Sequence, residues 1–88
     1  NSAKSIRIFP RKSDEIAQTI INRFERGVSG LHCCGMYSKS EGYMLLCVVS
    51  PKEVPLIIRE VKKIDKNSFI FVEEATDVWG EGFQQVMQ

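Results

Sequence analysis

Eighty-eight residues, 43% of them hydrophobic and 26% charged, are enough for one small globular domain and leave no room for a second core. Twelve Lys and Arg against eleven Asp and Glu leave a net charge of +1, which supplies no basic field for a phosphate backbone, so no nucleic acid is expected as a partner. One histidine, His32, and three cysteines without C-x-x-C spacing are too few ligands for a structural zinc or a two-histidine metal site. No paired carboxylates or base and nucleophile combine into a catalytic set, so an enzyme is not expected.

The chain opens Asn1-Ser2-Ala3 without Met, and residues 1–3 read as an artificial extension of an excised piece. Residues 4–83 are expected to form the single domain, with 84–88 as a tail. The longest uncharged apolar stretch, Tyr43 to Val49, is far short of the ~20 residues that a membrane-spanning helix requires. Three cysteines, two of them adjacent at Cys33 and Cys34, build no disulfide framework, which points to a reducing compartment.

The elements follow in chain order. Ser5 to Pro10 alternates as a first strand closed by Pro10. Ser13 offers an N-cap, Asp14 and Glu15 suit the positive end of a helix, and Ile16, Ile20 and Phe24 repeat on one face, with Gly27 available for a left-handed ending. Leu31 to Ser38 is expected as the second strand, followed by a turn at Lys39-Ser40-Glu41-Gly42. Tyr43 to Val49 reads as a central strand buried on both faces. Ser50-Pro51-Lys52-Glu53 has the form of a capping box, and Val54, Ile57, Ile58, Val61 and Ile64 give a second helix its apolar face. Pro55, so close to the start, predicts an irregular first turn. Ser68 to Val72 is the fourth strand.

The order β-α-β-β-α-β is that of a ferredoxin-like α+β two-layer sandwich, a four-stranded antiparallel sheet with both helices on one face. A hairpin centred between Ser40 and Glu41 would pair Ser38 with Tyr43, Met36 with Leu45, Cys34 with Cys47 and His32 with Val49. In that register Cys34 and Cys47 are either a cross-strand disulfide or two buried thiols acting as small hydrophobes. The alternate face carries Leu31, Cys33, Gly35, Tyr37, Met44, Leu46 and Val48. With apolar residues on both faces and helices for only one, the open face is expected to be an oligomer interface.

Two glycine-bearing segments stand out, Gly27-Val28-Ser29-Gly30 and Trp79-Gly80-Glu81-Gly82-Phe83. Neither has the spacing of a phosphate loop or dinucleotide fingerprint. They read either as turns with aromatic packing anchors or as a pocket of close backbone and rings for a small ligand.

The run Glu25-Arg26-Gly27-Val28-Ser29-Gly30-Leu31, with Gly35-Met36-Tyr37, Leu46-Cys47-Val48-Val49, Glu53, Ile64-Asp65, Ser68-Phe69-Ile70 and Gly80-Glu81-Gly82-Phe83, resembles the soluble C-terminal domain of YitT-type bacterial membrane proteins, a domain of unassigned function. The resemblance covers residues 5 to 83 and implies a transmembrane portion of the same polypeptide and a place on the cytoplasmic side of the cell membrane. That family is in turn similar to the ferredoxin-like domains of PII-type signalling proteins, trimers that bind nucleotides between subunits. The resemblance therefore implies a regulatory or sensory domain that forms a homo-oligomer, a trimer by this likeness, and binds a nucleotide or other small metabolite in an intersubunit cleft. Gly30, Gly35, Tyr37, Trp79, Gly80, Glu81, Gly82 and Phe83 would line the cleft. The residues themselves name no cofactor. The alternative is a purely structural oligomerisation domain in which the same residues only pack.

Overall fold

A computed structural model of the chain describes residues 3–81 and residue 83. Its elements are β1 (Ala3–Phe9), α1 (Ser13–Phe24), β2 (Ser29–Cys34), β3 (Glu41–Val49), a single 3-10 turn (Pro51–Glu53), α2 (Val54–Ile64) and β4 (Phe69–Ala75). The strands form one antiparallel sheet in the order β2-β3-β1-β4.

Side chains alternate across a strand, so one parity of each strand faces the helices. Ile6 and Ile8 of β1 and Leu45, Cys47 and Val49 of β3 meet Ile16 and Ile20 of α1 and Ile57 and Val61 of α2 in one buried core. A fully buried Ile or Val side chain contributes roughly 1.5–3 kcal/mol, so these residues dominate the stability of so small a domain. The i, i+4 spacing of each isoleucine or isoleucine–valine pair puts both members on the same helix face.

The helix ends follow local chemistry. Asp14 and Glu15 occupy the first turn of α1 and Arg23 its last. Ser13 is the first helical residue and Lys12 the N-cap, without a side-chain cap bond, which corrects the assignment of Ser13 as the cap. Glu25, at φ 55°, takes the left-handed ending expected of Gly27. Before α2 the capping box is formed: Glu53 Oε1 accepts from the Ser50 N–H at 2.9 Å and from its hydroxyl at 3.0 Å. The irregular start that Pro55 predicts is the 3-10 turn.

Ala3, read with residues 1–2 as an extension, is a buried residue of β1 opposite Ala75. Two further expectations are corrected. β2 ends at Cys34 rather than Ser38, because Gly35 to Ser40 closes the hairpin as a turn in which the Gly35 N–H donates to the Ser40 carbonyl at 2.8 Å. The register is thereby shifted by six residues: Cys34 lies opposite Glu41, His32 opposite Tyr43 and Gly30 opposite Leu45. An even shift keeps every side chain on its face but separates Cys34 from Cys47, so all three thiols are free. Finally, β3 is central but buried on its helix side only; Met44, Leu46 and Val48 are half-buried.

The corrected register has a further result. β1 pairs with β3 only from Leu45 onward, while β2 pairs with Glu41 to Leu46, so β2 and the first half of β3 project beyond the rest of the sheet as a two-stranded arm.

Candidate functional site

Three regions carry features beyond core packing. The first is a groove between the arm and the β1–α1 connection. A cavity of about 790 Å³ is bordered by Phe9, Pro10, Arg11, Ser13 and the arm residues Cys33 to Gly35 and Glu41 to Tyr43. A smaller one of about 310 Å³, under the start of α1, is lined by Ser13, Asp14, Ala17, Val28, Gly30, Tyr43 and Leu45. Ser13 and Tyr43 border both. A methyl group on Gly30 would come within 3.2 Å of the Tyr43 ring, and one on Gly35 within 2.7 Å of the Ser38 hydroxyl, so both glycines are needed for close approach.

The second region, at the opposite end of β3, is a polar cluster. Arg26 bonds Glu53 at 3.0 Å, Glu53 holds Ser50, and the Arg26 guanidinium lies 4.7 Å from the centre of the Phe83 ring. Burial pushes the Glu53 carboxyl up, but the Ser50 N–H and hydroxyl and the Arg26 charge outweigh it and hold it below the usual range. Burial pushes the neighbouring Cys47 thiol up to about 11, with the Glu53 charge adding and that of Arg26 opposing. Cys47 is therefore an inert core thiol.

The third region is the helix-free face of the sheet. Phe9, Phe69 and Phe71 form a triad with ring centroids 5.9–6.3 Å apart, and the Arg7 guanidinium lies 5.6 Å from the Phe71 centroid. Leu31, Met44, Leu46 and Val48 form a second apolar cluster across β2 and β3, set apart from the triad by Ser5 and by Arg7, which pairs with Glu73 at 3.5 Å. Phe69 is 64% exposed and Leu31 43%.

The residues assigned to a ligand cleft are therefore not brought together within one copy. Gly30 and Gly35 border the groove at the arm. Tyr37 stands at the hairpin tip, fully exposed and outside both cavities. Phe83 is buried against Arg26, with its N–H bonded to the Gly80 carbonyl at 3.0 Å, while Glu81 and Trp79 are exposed. Gly35, beyond the start of β3, and the Arg26–Phe83 cluster, beyond its end, are separated by at least the length of that strand, roughly 26 Å at 3.3 Å per residue, while Gly30 lies opposite Leu45 at its middle. Gly82 lies outside the described residues. Sequence reasoning missed Tyr43 and Ser13 as groove walls, because their meeting depends on the register of the arm. It also missed the pairing of Arg26 with Glu53, although a charged residue in each of two connectors was the signal available.

Four antiparallel strands in the order β2-β3-β1-β4, with both helices on one face, define a ferredoxin-like α+β domain. Residues 26–80 match the family model described as "Uncharacterized protein conserved in bacteria (DUF2179)", and the chain belongs to that family. Among curated relatives it is 37% identical over 82 residues to the UPF0750 membrane protein YpjC of Bacillus subtilis (strain 168) and 29% identical over 85 residues to YvjA of the same organism. These alignments cover 93% and 97% of this chain but 28% and 30% of the relatives, so the chain spans about three tenths of their length. A crystal structure of a DUF2179 protein from Eubacterium ventriosum superposes with a TM-score of 0.71 at 22% identity, covering 83% of this chain and all of that one. The resemblance to YitT-type proteins is thus confirmed, and the fold is shared with that solved chain. Among the described residues no helix is long and apolar enough to cross a membrane.

Proposed function

We propose that this is a non-catalytic assembly domain of a UPF0750-type membrane protein, lying on the cytoplasmic side and bringing copies together through the helix-free face of its sheet. The observation that carries the reading is two apolar clusters on that face, the Phe9, Phe69 and Phe71 triad and the group of Leu31, Met44, Leu46 and Val48, with Ser5 and the Arg7–Glu73 ion pair between them. Exposed apolar clusters with polar groups beside them mark interaction surfaces. The exposed free thiols Cys33 and Cys34 support the cytoplasmic placement, since such groups persist in reducing compartments. Association stabilises the folded form by mass action, so the thermal midpoint of the fragment is expected to rise with protein concentration; a midpoint that is flat over a hundredfold dilution contradicts the reading.

The groove at the arm favours a second reading, regulation by a small ligand. Its two cavities, of about 310 and 790 Å³, are in the range of ligand pockets, the smaller bordered by Gly30 and the larger by Gly35. On this reading a nucleotide or other metabolite binds beside Tyr43. A ligand present at 100 times its dissociation constant would add ~2.7 kcal/mol to stability, a readily measured thermal shift. Absence of any shift across a panel of nucleotides and common metabolites leaves the domain as an assembly unit alone.

A further inference from the structure

The sheet has two edges, and they differ in how they are protected. β4, at one edge, carries Glu73 and Glu74, charges of the kind that keep an edge strand from pairing with other chains. β2, at the other, is Ser29-Gly30-Leu31-His32-Cys33-Cys34, without a carboxylate, a lysine, an arginine or a proline. All six of its residues are exposed, those on the helix side included, and most of the strand extends beyond the part of β3 that β1 pairs with. An unprotected edge strand on a projecting arm is a template for another strand.

The hairpin turn fixes which backbone groups are free. Gly35 and Ser40 are a hydrogen-bonded pair, and such pairs alternate along an antiparallel ladder. Cys33, Leu31 and Ser29 therefore direct their N–H and C=O groups at β3. Cys34, His32 and Gly30 direct theirs outward, and among the described residues no strand lies beyond them. These three residues are evenly spaced about His32, so the free pattern is its own complement under a two-fold rotation.

We infer that β2 pairs antiparallel with β2 of a second copy about a two-fold axis through His32 and perpendicular to the sheet, joining two domains into one eight-stranded sheet. A two-fold axis in that direction keeps the helix-free faces on the same side and requires residues of equal parity to lie opposite one another. Centred on His32, all the outward groups are used: Gly30 exchanges two hydrogen bonds with the partner's Cys34, His32 two with the partner's His32, and Cys34 two with the partner's Gly30. Leu31 then lies opposite the partner's Cys33 on the helix-free face. No carboxylate, lysine or arginine of one β2 meets its like on the other, and the small Gly30 faces the Cys34 thiol. This inference specifies a partner surface for the self-association proposed above but uses the edge, not the face; the joined sheet extends that face without covering it.

Two variants of the whole fragment test it, and a domain of this fold stands alone as a crystallised chain. His32→Pro removes an outward N–H and spares the backbone bonds to β3, and proline is tolerated on edge strands; it also removes the exposed imidazole, which lies edge-on to Tyr43 and 3.7 Å from Glu41, and His32→Ala is the control for that loss. In a Phe69→Asp background, which removes the face contact, His32→Pro is expected to turn a dimer by light scattering into a monomer with an unchanged circular dichroism spectrum. Leu31→Cys places a thiol opposite Cys33 of the second copy in a non-hydrogen-bonded pair, about 4.5 Å between Cα atoms, within reach of a disulfide. Mild oxidation is expected to yield a covalent dimer whose peptide map links position 31 to Cys33. A link between the two position-31 thiols, a trimer, or a wild-type fragment that is monomeric overturns the inference. The two surfaces are separable: association that survives His32→Pro but is lost in Phe69→Asp keeps the face and overturns the edge, whereas the converse keeps the edge and overturns the face.

Discussion

Phe69→Asp is expected to weaken association through the helix-free face at least a hundredfold while leaving the isolated domain folded. Phe69 lies on the helix-free face at the end of β4, packed on one side against Phe9 and Phe71 and otherwise open to water. In a single copy the substitution removes two ring contacts and a strand-favouring residue, which costs roughly 1–2 kcal/mol. In an assembled face the ring is buried, and losing an aromatic side chain there removes roughly 2–3 kcal/mol, or about two decades in the association constant. Placing an uncompensated carboxylate in the contact adds to the loss. Sedimentation equilibrium of the two proteins measures the ratio directly, and equal constants would show that the triad is not in the interface.

The second large effect lies far from any surface proposed to bind. Asp65, at the end of α2, is buried, and its carboxylate accepts the Arg11 N–H at 2.8 Å and the Asn67 N–H at 3.2 Å. It ties the β1–α1 connection to the α2–β4 turn, the two segments that must meet if β1 and β4 are to lie side by side. Asp65→Ala is expected to cost about 3 kcal/mol, because it leaves two backbone donors without the charged acceptor, and to lower the melting temperature by roughly 12 °C or more. The Arg11 N–H is the main reason that Asp65 titrates below its ordinary value of 3.8, with burial opposing it and the Asn67 N–H assisting. A carboxyl depressed in the folded state contributes stability that is present above its unfolded value and lost as the pH falls through its folded one. Glu53, also depressed, acts in the same direction from its ordinary value of 4.5. Wild-type stability is therefore expected to decline below about pH 4.5, and Asp65→Asn to flatten the part of that decline below 3.8. Chemical denaturation at several acid pH values checks both slopes.

These carboxylates also show what the sequence could and could not disclose. Periodicity was sufficient for the architecture, because Ile16 and Ile20, Ile57 and Val61, and the alternation in β1 and β3 each have a single physical solution. The register of β2 was not legible. Residues from Leu31 to Ser38 alternate acceptably for a strand, and only the bond from the Gly35 N–H to the Ser40 carbonyl ends it early. That one turn decides the arm, the groove and the exposed edge.

The candidate site was legible only in part, for a related reason. Arg26, Glu53, Asp65 and Phe83 belong to the motifs that carried the family resemblance, yet in the structure they hold connectors and caps. Motif residues whose work is to fix backbone segments look, in one dimension, like residues that touch a ligand. Trp79 and Tyr37, aromatic and near glycines, suggested stacking; one is 74% exposed and the other fully so, with neither bordering the groove. The apolar open face was visible as the alternate parity of β2 and β3, and the structure adds Phe9, Phe69 and Phe71 from the strands beyond.

Light scattering of the wild-type fragment over a dilution series tests the central claim of association most directly. The account predicts a mass that is a multiple of 10.0 kDa at high concentration and falls toward 10.0 kDa on dilution. A mass of 10.0 kDa at every concentration would contradict it.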